Sequence, residues 1–288
     1  MSDRPMQYPF QQVDVFTSVP FKGNPVAVVL DADGLTTAQM QSIASWTNLS
    51  ETTFVCAPMH KDADYRLRIF TPRSELPFAG HPTLGSAWAA LQRGLQPKRQ
   101  GILIQECTKG LVALRRIDNG LFFALPEPNL TEVDMGQLSA VNQALGVASG
   151  AVLDSAIIDV GAVWLTIQLD SARRVAELDP DMPVLAAITP HITGVTVFGL
   201  HPEGEPAAVE VRSFAPALGA PEDPVCGSGN GCVAALIRQH GILDVHAYTA
   251  SQGRRVGRDG RVEVEFSDDG PIWLGGRVVT CIDGVLSV

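Results

Sequence analysis

Residues 52–77 align without a gap on residues 196–221, an offset of 144 that is half of the 288-residue chain. The shared residues are Thr52/Thr196, Phe54/Phe198, Pro58/Pro202, Ala63/Ala207, Arg68/Arg212, Phe70/Phe214, Pro72/Pro216 and Pro77/Pro221, eight identities in 26 positions. Average composition gives about one or two. So long a period describes a duplicated domain and not a solenoid, because each half exceeds about 100 residues and can close its own core. The differences between the halves then carry more information than the identities. Glu51 pairs with Val195 and, after a three-residue insertion that moves the offset to 147, Ala79 pairs with Cys226, Gly80 with Gly227 and His81 with Ser228. Different chemical groups at equivalent places suit an active site in a cleft between two lobes, the alternative being neutral drift after duplication.

The composition is that of a globular protein, 45% hydrophobic and 18% charged, and no run approaches the roughly 20 apolar residues of a membrane span. The opening MSDRPMQYPFQQ lacks the apolar stretch of a signal peptide, so a cytoplasmic protein is expected. Net charge is −10 with a pI near 5.0. The basic residues are scattered, which argues against a nucleic-acid partner. Cys56, Cys107, Cys226, Cys232 and Cys281 are odd in number and form no C-x-x-C pair, so no disulfide framework is expected. The six histidines show no metal-ligand spacing. Gly227, Gly229 and Gly231 are too closely spaced for a dinucleotide fingerprint, and no P-loop lysine follows. No metal and no cofactor are expected, which leaves the chemistry to side chains.

Each half reads as the same order of elements. In the first, VDVFT and PVAVVL are strands, Thr36 caps an amphipathic helix carrying Met40, Ile43, Ala44 and Trp46, and LSETTFV is a strand bearing Glu51. Tyr65 to Phe70 is another strand, and Ala79 to His81 lead into a helix that accepts Pro82 in its first turn. Leu84, Ala87, Trp88 and Leu91 make its apolar stripe, with Trp88 read as core, and Gly94 ends it. In the second half AIIDV, AVWLTIQL, GVTVFG and VEVRSF are strands and Pro180 to Ile188 is a helix. The key helix begins near Ser228, read as its N-cap, buries Val233, Leu236 and Ile237, and closes at Gly241. The central helices have little polar cover, so strands are expected to wrap around them. LPEPNLTEVD, residues 125–134, is the linker before a new helix starting near Asp134, and it divides the chain into 1–126 and 127–288. The last strand-like segments, VEVEF and WLGGRVVT, are candidates to return to the first domain.

Both halves deliver a glycine-bearing turn, AGHP or CGSG, into a helix N-terminus, where free N–H groups favour an anion. A small carboxylate-bearing substrate follows, with Gly80, Gly227, Ser228, Gly229 and Cys226 as candidate binding residues. A glycine that only lets the chain bend is the plainer reading of each turn.

NLSETTFV, RIFTP, FAGHPTLGSA and EDPVCGSGNG, in that order, together with GNPVAVVL near the N-terminus, resemble the phenazine-biosynthesis F-type (PhzF-like) isomerases over essentially the whole chain. That family is related in fold to diaminopimelate epimerase and proline racemase. The resemblance implies an α/β (α+β) fold of two pseudo-symmetric domains, each a curved, barrel-like mixed sheet around a central helix. It also implies an interdomain active site, no metal or organic cofactor, and a homodimer. Carried over by motif, the catalytic glutamate is Glu51, while His81, Asp223 and Ser228 hold or polarise substrate.

One difference from the family pattern matters: Cys226 stands where threonine is common and where the racemases place a catalytic thiol, while their second thiol position is Ala79. Inverting a carbon centre needs an acid and a base on opposite faces, whereas a suprafacial proton shift needs one group. A glutamate, with a reference pKa of about 4.3, moves a carbon-bound proton only if the carbon is acidified and the carboxylate partly desolvated. The leading expectation is a cofactor-independent isomerase with Glu51 as general acid/base and His81 and Asp223 beside it. Two others stand: a racemase or epimerase using Glu51 and Cys226, whose thiol a helix N-terminus would acidify, and a non-catalytic small-molecule binding protein. The plain readings are a surface carboxylate for Glu51, a helix-start residue for His81, a turn-former before Pro224 for Asp223, and a small buried hydrophobe for Cys226.

Overall fold

The structure is a computed structural model that describes residues 5–117, 120–268 and 270–288. It contains two compact units, Met1–Ala124 with Gly275–Val288, and Leu125–Leu274. Relative to a division at 126/127, the difference is the C-terminal segment. Residues 278–287 pair antiparallel with Gln7–Val15, so the ladder holds them in the first unit.

The first unit is a closed barrel of eight strands. In chain order these are β1 (Gln7–Val15), β2 (Asn24–Val29), β3 (Thr52–Cys56) and β4 (Tyr65–Phe70), then β5 (Glu75–Leu76), a short strand hung on β4. They continue with β6 (Ile102–Cys107), β7 (Gly110–Ile117) and β8 (Gly120–Ala124). β17 (Ile272–Ser287) completes the ring by pairing with both β8 and β1. Two helices serve this sheet: α1 (Thr37–Thr47) and α2 (Gly80–Gln92). α2 packs against β1, β2, β3, β4, β6 and β8 and is the central helix. α1 lies against β3 and β4 over a core of Tyr8, Val29, Met40, Ala44, Phe54 and Phe70. β2 and β3 are therefore covered on both faces, which explains why they read as apolar runs without alternation.

The second unit contains β9 (Asn129–Thr131), α3 (Met135–Leu145), β10 (Val152–Asp159), β11 (Val163–Leu169), α4 (Ala172–Glu177) and α5 (Met182–Ile188). It continues with β12 (Gly194–Leu200), β13 (Val209–Ala215), β14 (Ala220–Asp223), α6 (Gly227–His240), β15 (Ala247–Gln252) and β16 (Gly260–Phe266). Its strands run in the order β9-β10-β11-β12-β13-β15-β16, with β14 on β13. α6 is the inner helix, against β10, β11, β12 and β16. α3, α4 and α5 contribute Leu138, Val141, Val175 and Leu185 to an outer core that includes Leu165, Val195, Val197 and Phe214. The duplication is visible in the ladders. The pairs β2–β3, β3–β4, β4–β6 and β6–β7 alternate parallel and antiparallel, and β11–β12, β12–β13, β13–β15 and β15–β16 repeat that alternation.

Each half also repeats one ion pair. Arg68 grips Glu75 with two bonds of 2.7 Å, and Arg212 grips Glu222 at 3.0 and 2.8 Å. Each guanidinium lies over a phenylalanine ring, Phe70 at 5.2 Å and Phe214 at 4.9 Å. Glu75 and Glu222 are 147 apart, so the insertion precedes them, in the stretch containing the 3-10 turn Pro216–Leu218. Pro77 accordingly matches Pro224, and the Pro77/Pro221 identity is a coincidence of the ungapped alignment.

Several local expectations hold. Thr36 and Gln39 form a reciprocal capping box, and Asp134 caps α3. Others need correction. Trp46 is 79% exposed because α1 buries Met40 and Ala44, and a residue two positions beyond Ala44 points to the other side. Trp88 is half-buried, not plain core, and its indole donates to Thr280 Oγ1 at 3.0 Å. The linker contains β9, which pairs with β10. α5 starts two residues after Pro180, capped by Asp181. Among the described residues no helix is long and apolar enough to cross a membrane.

Candidate active site

In the first unit, β3 and α2 bring Glu51 and His81 together. Glu51 immediately precedes β3, and its carbonyl accepts from the amide of Ala27 on β2. His81 is the second residue of α2, after the N-cap Ala79. Glu51 Oε2 lies 3.3 Å from His81 Nε2, with side-chain exposures of 16% and 6%. The two atoms are close but not aligned as a hydrogen bond with each other. Burial pushes the His81 imidazole down to about 3, against a smaller opposing effect of the Pro25 backbone. The ring is therefore neutral, and the contact is a carboxyl beside an imidazole, not an ion pair. Asn24 Nδ2 lies 3.4 Å from Nδ1 on the other side of the ring. With Asn24 on Nδ1, Nε2 is the nitrogen presented to Glu51.

Gly80 has a packing reason of its own: a Cβ there would meet Phe123 Cζ at 2.8 Å. Val195, the counterpart of Glu51, is fully buried in the outer core of its own unit. The same sequence position thus carries a carboxyl beside an imidazole in one half and a packed apolar side chain in the other.

In the second unit Asp223, Cys226, Gly227, Ser228 and Gly229 form one turn at the start of α6. Asp223 Oδ1 accepts from the Val225 amide at 3.0 Å, an Asx turn across Pro224. Gln252 secures this turn: its Nε2 donates to the Asp223 carbonyl at 3.0 Å, and its Oε1 accepts from the Cys226 amide at 3.1 Å and from Asn230 Nδ2 at 2.7 Å. The N-cap is Cys226, not Ser228. The Cys226 thiol accepts from Gly229 N at 3.2 Å, and Ser228 is already inside the helix. Ser228 Oγ instead accepts from Trp164 Nε1 at 3.0 Å. A Cβ on Gly229 would meet Ser213 Oγ at 2.5 Å and Thr196 Oγ1 at 2.9 Å, so this glycine seals the turn onto β12 and β13.

The thiol does not follow the helix-terminus expectation. Burial, with the Asp223 carboxylate second, holds Cys226 well above its ordinary value, and its hydrogen bonds with Ser228, the Gly229 amide and Ser213 do not overcome it. Cys226 is a neutral thiol.

Asn24, Trp164 and Gln252 escape sequence reasoning about the site. Asn24 sits in the GNPVAVVL motif, and Gln252 is 147 residues from Gln105, which holds Thr83 of α2 at 3.0 Å as Gln252 holds Asn230 of α6. That second matched pair was available as a signal. Trp164 has no marker beyond its position on an apolar strand.

The chain matches the phenazine biosynthesis-like (PhzC-PhzF) family over residues 13–284. It belongs to that family. It is 42% identical to antisense-enhancing sequence 1 of Schizosaccharomyces pombe, across 96% of this chain and 98% of the other. It is 34% identical to trans-2,3-dihydro-3-hydroxyanthranilate isomerase of Pseudomonas fluorescens, across 93% and 98%. A PhzF-family phenazine biosynthesis protein of Bacillus anthracis shares the fold with a TM-score of 0.84 at 24% identity, covering 98% of this chain and all of that one. A hydroxyproline epimerase from Agrobacterium vitis shares it more distantly, with a TM-score of 0.66 at 12% identity over 98% and 93%. The PhzF-type, epimerase-related fold and the isomerase class are thereby established for this chain.

Proposed function

We propose that this protein is a cofactor-independent isomerase that moves a proton on a small carboxylate-bearing ring, with Glu51 as the general acid/base. The observation that carries the reading is the Glu51–His81 pair, 3.3 Å apart, with a neutral, buried imidazole. An imidazole held neutral by burial leaves the mobile proton to the carboxyl, and its Nε2 can steady that proton between the two atoms. Glu51 takes a proton from one ring carbon and returns it to another on the same face. Asp223 and Ser228, with the backbone N–H groups at the start of α6, engage the amino and carboxylate substituents.

The named activity of the Pseudomonas fluorescens relative makes trans-2,3-dihydro-3-hydroxyanthranilate the first substrate to try. A homodimer in the cytoplasm is part of the same proposal. The two-base racemase reading is disfavoured by the Cys226 thiol, which burial keeps protonated. The test follows the ultraviolet absorbance of that diene carboxylate with wild-type protein and with Glu51→Gln. Turnover that vanishes in the variant supports the reading; turnover that survives it removes Glu51 from the mechanism.

A further inference from the structure

Ser228 is connected to a run of buried hydroxyl and thiol groups on the interior side of its turn. Its Oγ lies 3.6 Å from Cys226 Sγ. Cys226 is hydrogen-bonded to Ser213, Ser213 Oγ lies 2.7 Å from Thr196 Oγ1, and Thr196 Oγ1 donates to the Arg212 carbonyl at 3.3 Å. Thr196, Ser213 and Cys226 are almost wholly buried. The two ends of this run have fixed polarity. An indole N–H can only donate, and a carbonyl can only accept. Trp164 therefore occupies a lone pair of Ser228 at one end, and the Arg212 carbonyl takes the Thr196 proton at the other. Between them Ser213 donates to Thr196, and the Cys226 thiol donates to Ser213. The Gly229 amide already donates to the Cys226 sulfur. On the interior side the Ser228 proton meets only that sulfur, a weak acceptor 3.6 Å away that already takes the Gly229 amide, so it can turn outward to a stronger acceptor.

We propose that Trp164 is a positioning residue which, by donating to Ser228 Oγ, holds that hydroxyl as an outward hydrogen-bond donor for the substrate carboxylate. The proposal rests on the isomerase reading for the identity of the ligand. The first half has no counterpart of this run: Ala79 stands for Cys226 and Ile69 for Ser213. The device is thus confined to the half without the carboxyl–imidazole pair. It also gives Cys226 a role that threonine would fill, a neutral donor into the interior.

The experiment measures binding of 3-hydroxyanthranilate and of 2-aminophenol, the same ring without its carboxylate, to wild type, Trp164→Phe, Ser228→Ala and the double variant. Trp164→Phe should weaken 3-hydroxyanthranilate about fivefold, the size of one hydrogen bond, leave 2-aminophenol unchanged, and have no further effect in the Ser228→Ala background. Equal losses for both ligands, or a loss that persists without Ser228, would show that the indole acts only through packing and would overturn the proposal.

Because Trp164 is buried, a second reading avoids changing it. The Trp164 indole N–H resonance should move upfield in Ser228→Ala and shift when 3-hydroxyanthranilate binds wild type; an indole signal indifferent to both overturns the contact. Wild type that binds neither compound, while the indole still responds to Ser228→Ala, overturns the proposed substrate class and with it the carboxylate role of Ser228. Binding with Trp164→Phe unaltered overturns the positioning role alone.

Discussion

The two halves start their central helices with the same glycine and then diverge. At the start of α2, Ala79 is an inert N-cap, and the next side chain, His81, is a buried neutral imidazole against a carboxyl. At the start of α6, the N-cap is a thiol that accepts a backbone N–H, and the next side chain, Ser228, is a hydroxyl gripped by an indole. On the proposed function the first turn exchanges a proton and the second presents donors. A duplicated fold thus supplies two helix N-termini, and burial keeps the imidazole of one and the thiol of the other neutral. The same contrast runs through the scaffold: Arg68–Glu75 is partly exposed, whereas Arg212–Glu222 is nearly dry and also binds the Val175 and Leu178 carbonyls.

This contrast can be broken in order of expected effect. Glu51→Gln should reduce turnover by about 10²–10⁴-fold, the range for a general acid/base, with little change in melting temperature; a loss under tenfold would move the chemistry elsewhere. Arg212→Ala should cost about 3–5 kcal/mol in denaturant unfolding, because it strands Glu222 in a buried site. Arg68→Ala should cost no more than about 1 kcal/mol. Equal costs would mean that the difference in burial is irrelevant.

A third expectation concerns pH. The folded-state His81 pKa, about 3, lies below its ordinary value of 6.5, so its contribution to stability is complete above 6.5 and is lost as pH falls toward 3. Across that window the histidine should contribute a loss of about 1.4 kcal/mol per pH unit. His81→Asn should flatten the unfolding profile there, and an unchanged slope would show that the imidazole is not buried neutral. The smallest effect belongs to Cys226→Thr, which should leave turnover within the same order of magnitude, since a hydroxyl can replace a neutral thiol as donor. A collapse of activity would instead assign the thiol a chemical step.

Much of this arrangement is legible in the chain itself. The offset alignment finds both helices and sets Glu51 against Val195, and the Thr36 and Asp134 caps follow from side chains that bond their own helix. What escapes depends on contacts distant in sequence. Ser228 is a reasonable N-cap by type, but the closing bonds between Gln252 and both Asp223 and Cys226 put the N-cap two residues earlier. Trp46 and Trp88 satisfy an apolar pattern, yet one faces outward and the other reaches Thr280, almost 200 residues away. The sign of the Cys226 shift could not be read either. A helix terminus lowers a thiol and burial raises it, and only the packing shows that burial wins. The insertion point is a similar case, located by the Arg–Glu pairs and not by the identities.

The most direct test of the division of labour is proton NMR in D₂O with trans-2,3-dihydro-3-hydroxyanthranilate, comparing wild type, Glu51→Gln and Cys226→Ala. The account predicts rearrangement or deuterium incorporation on one ring face in wild type and Cys226→Ala, and none in Glu51→Gln. Exchange that persists in Glu51→Gln but disappears in Cys226→Ala would contradict it and place the acid/base in the second half.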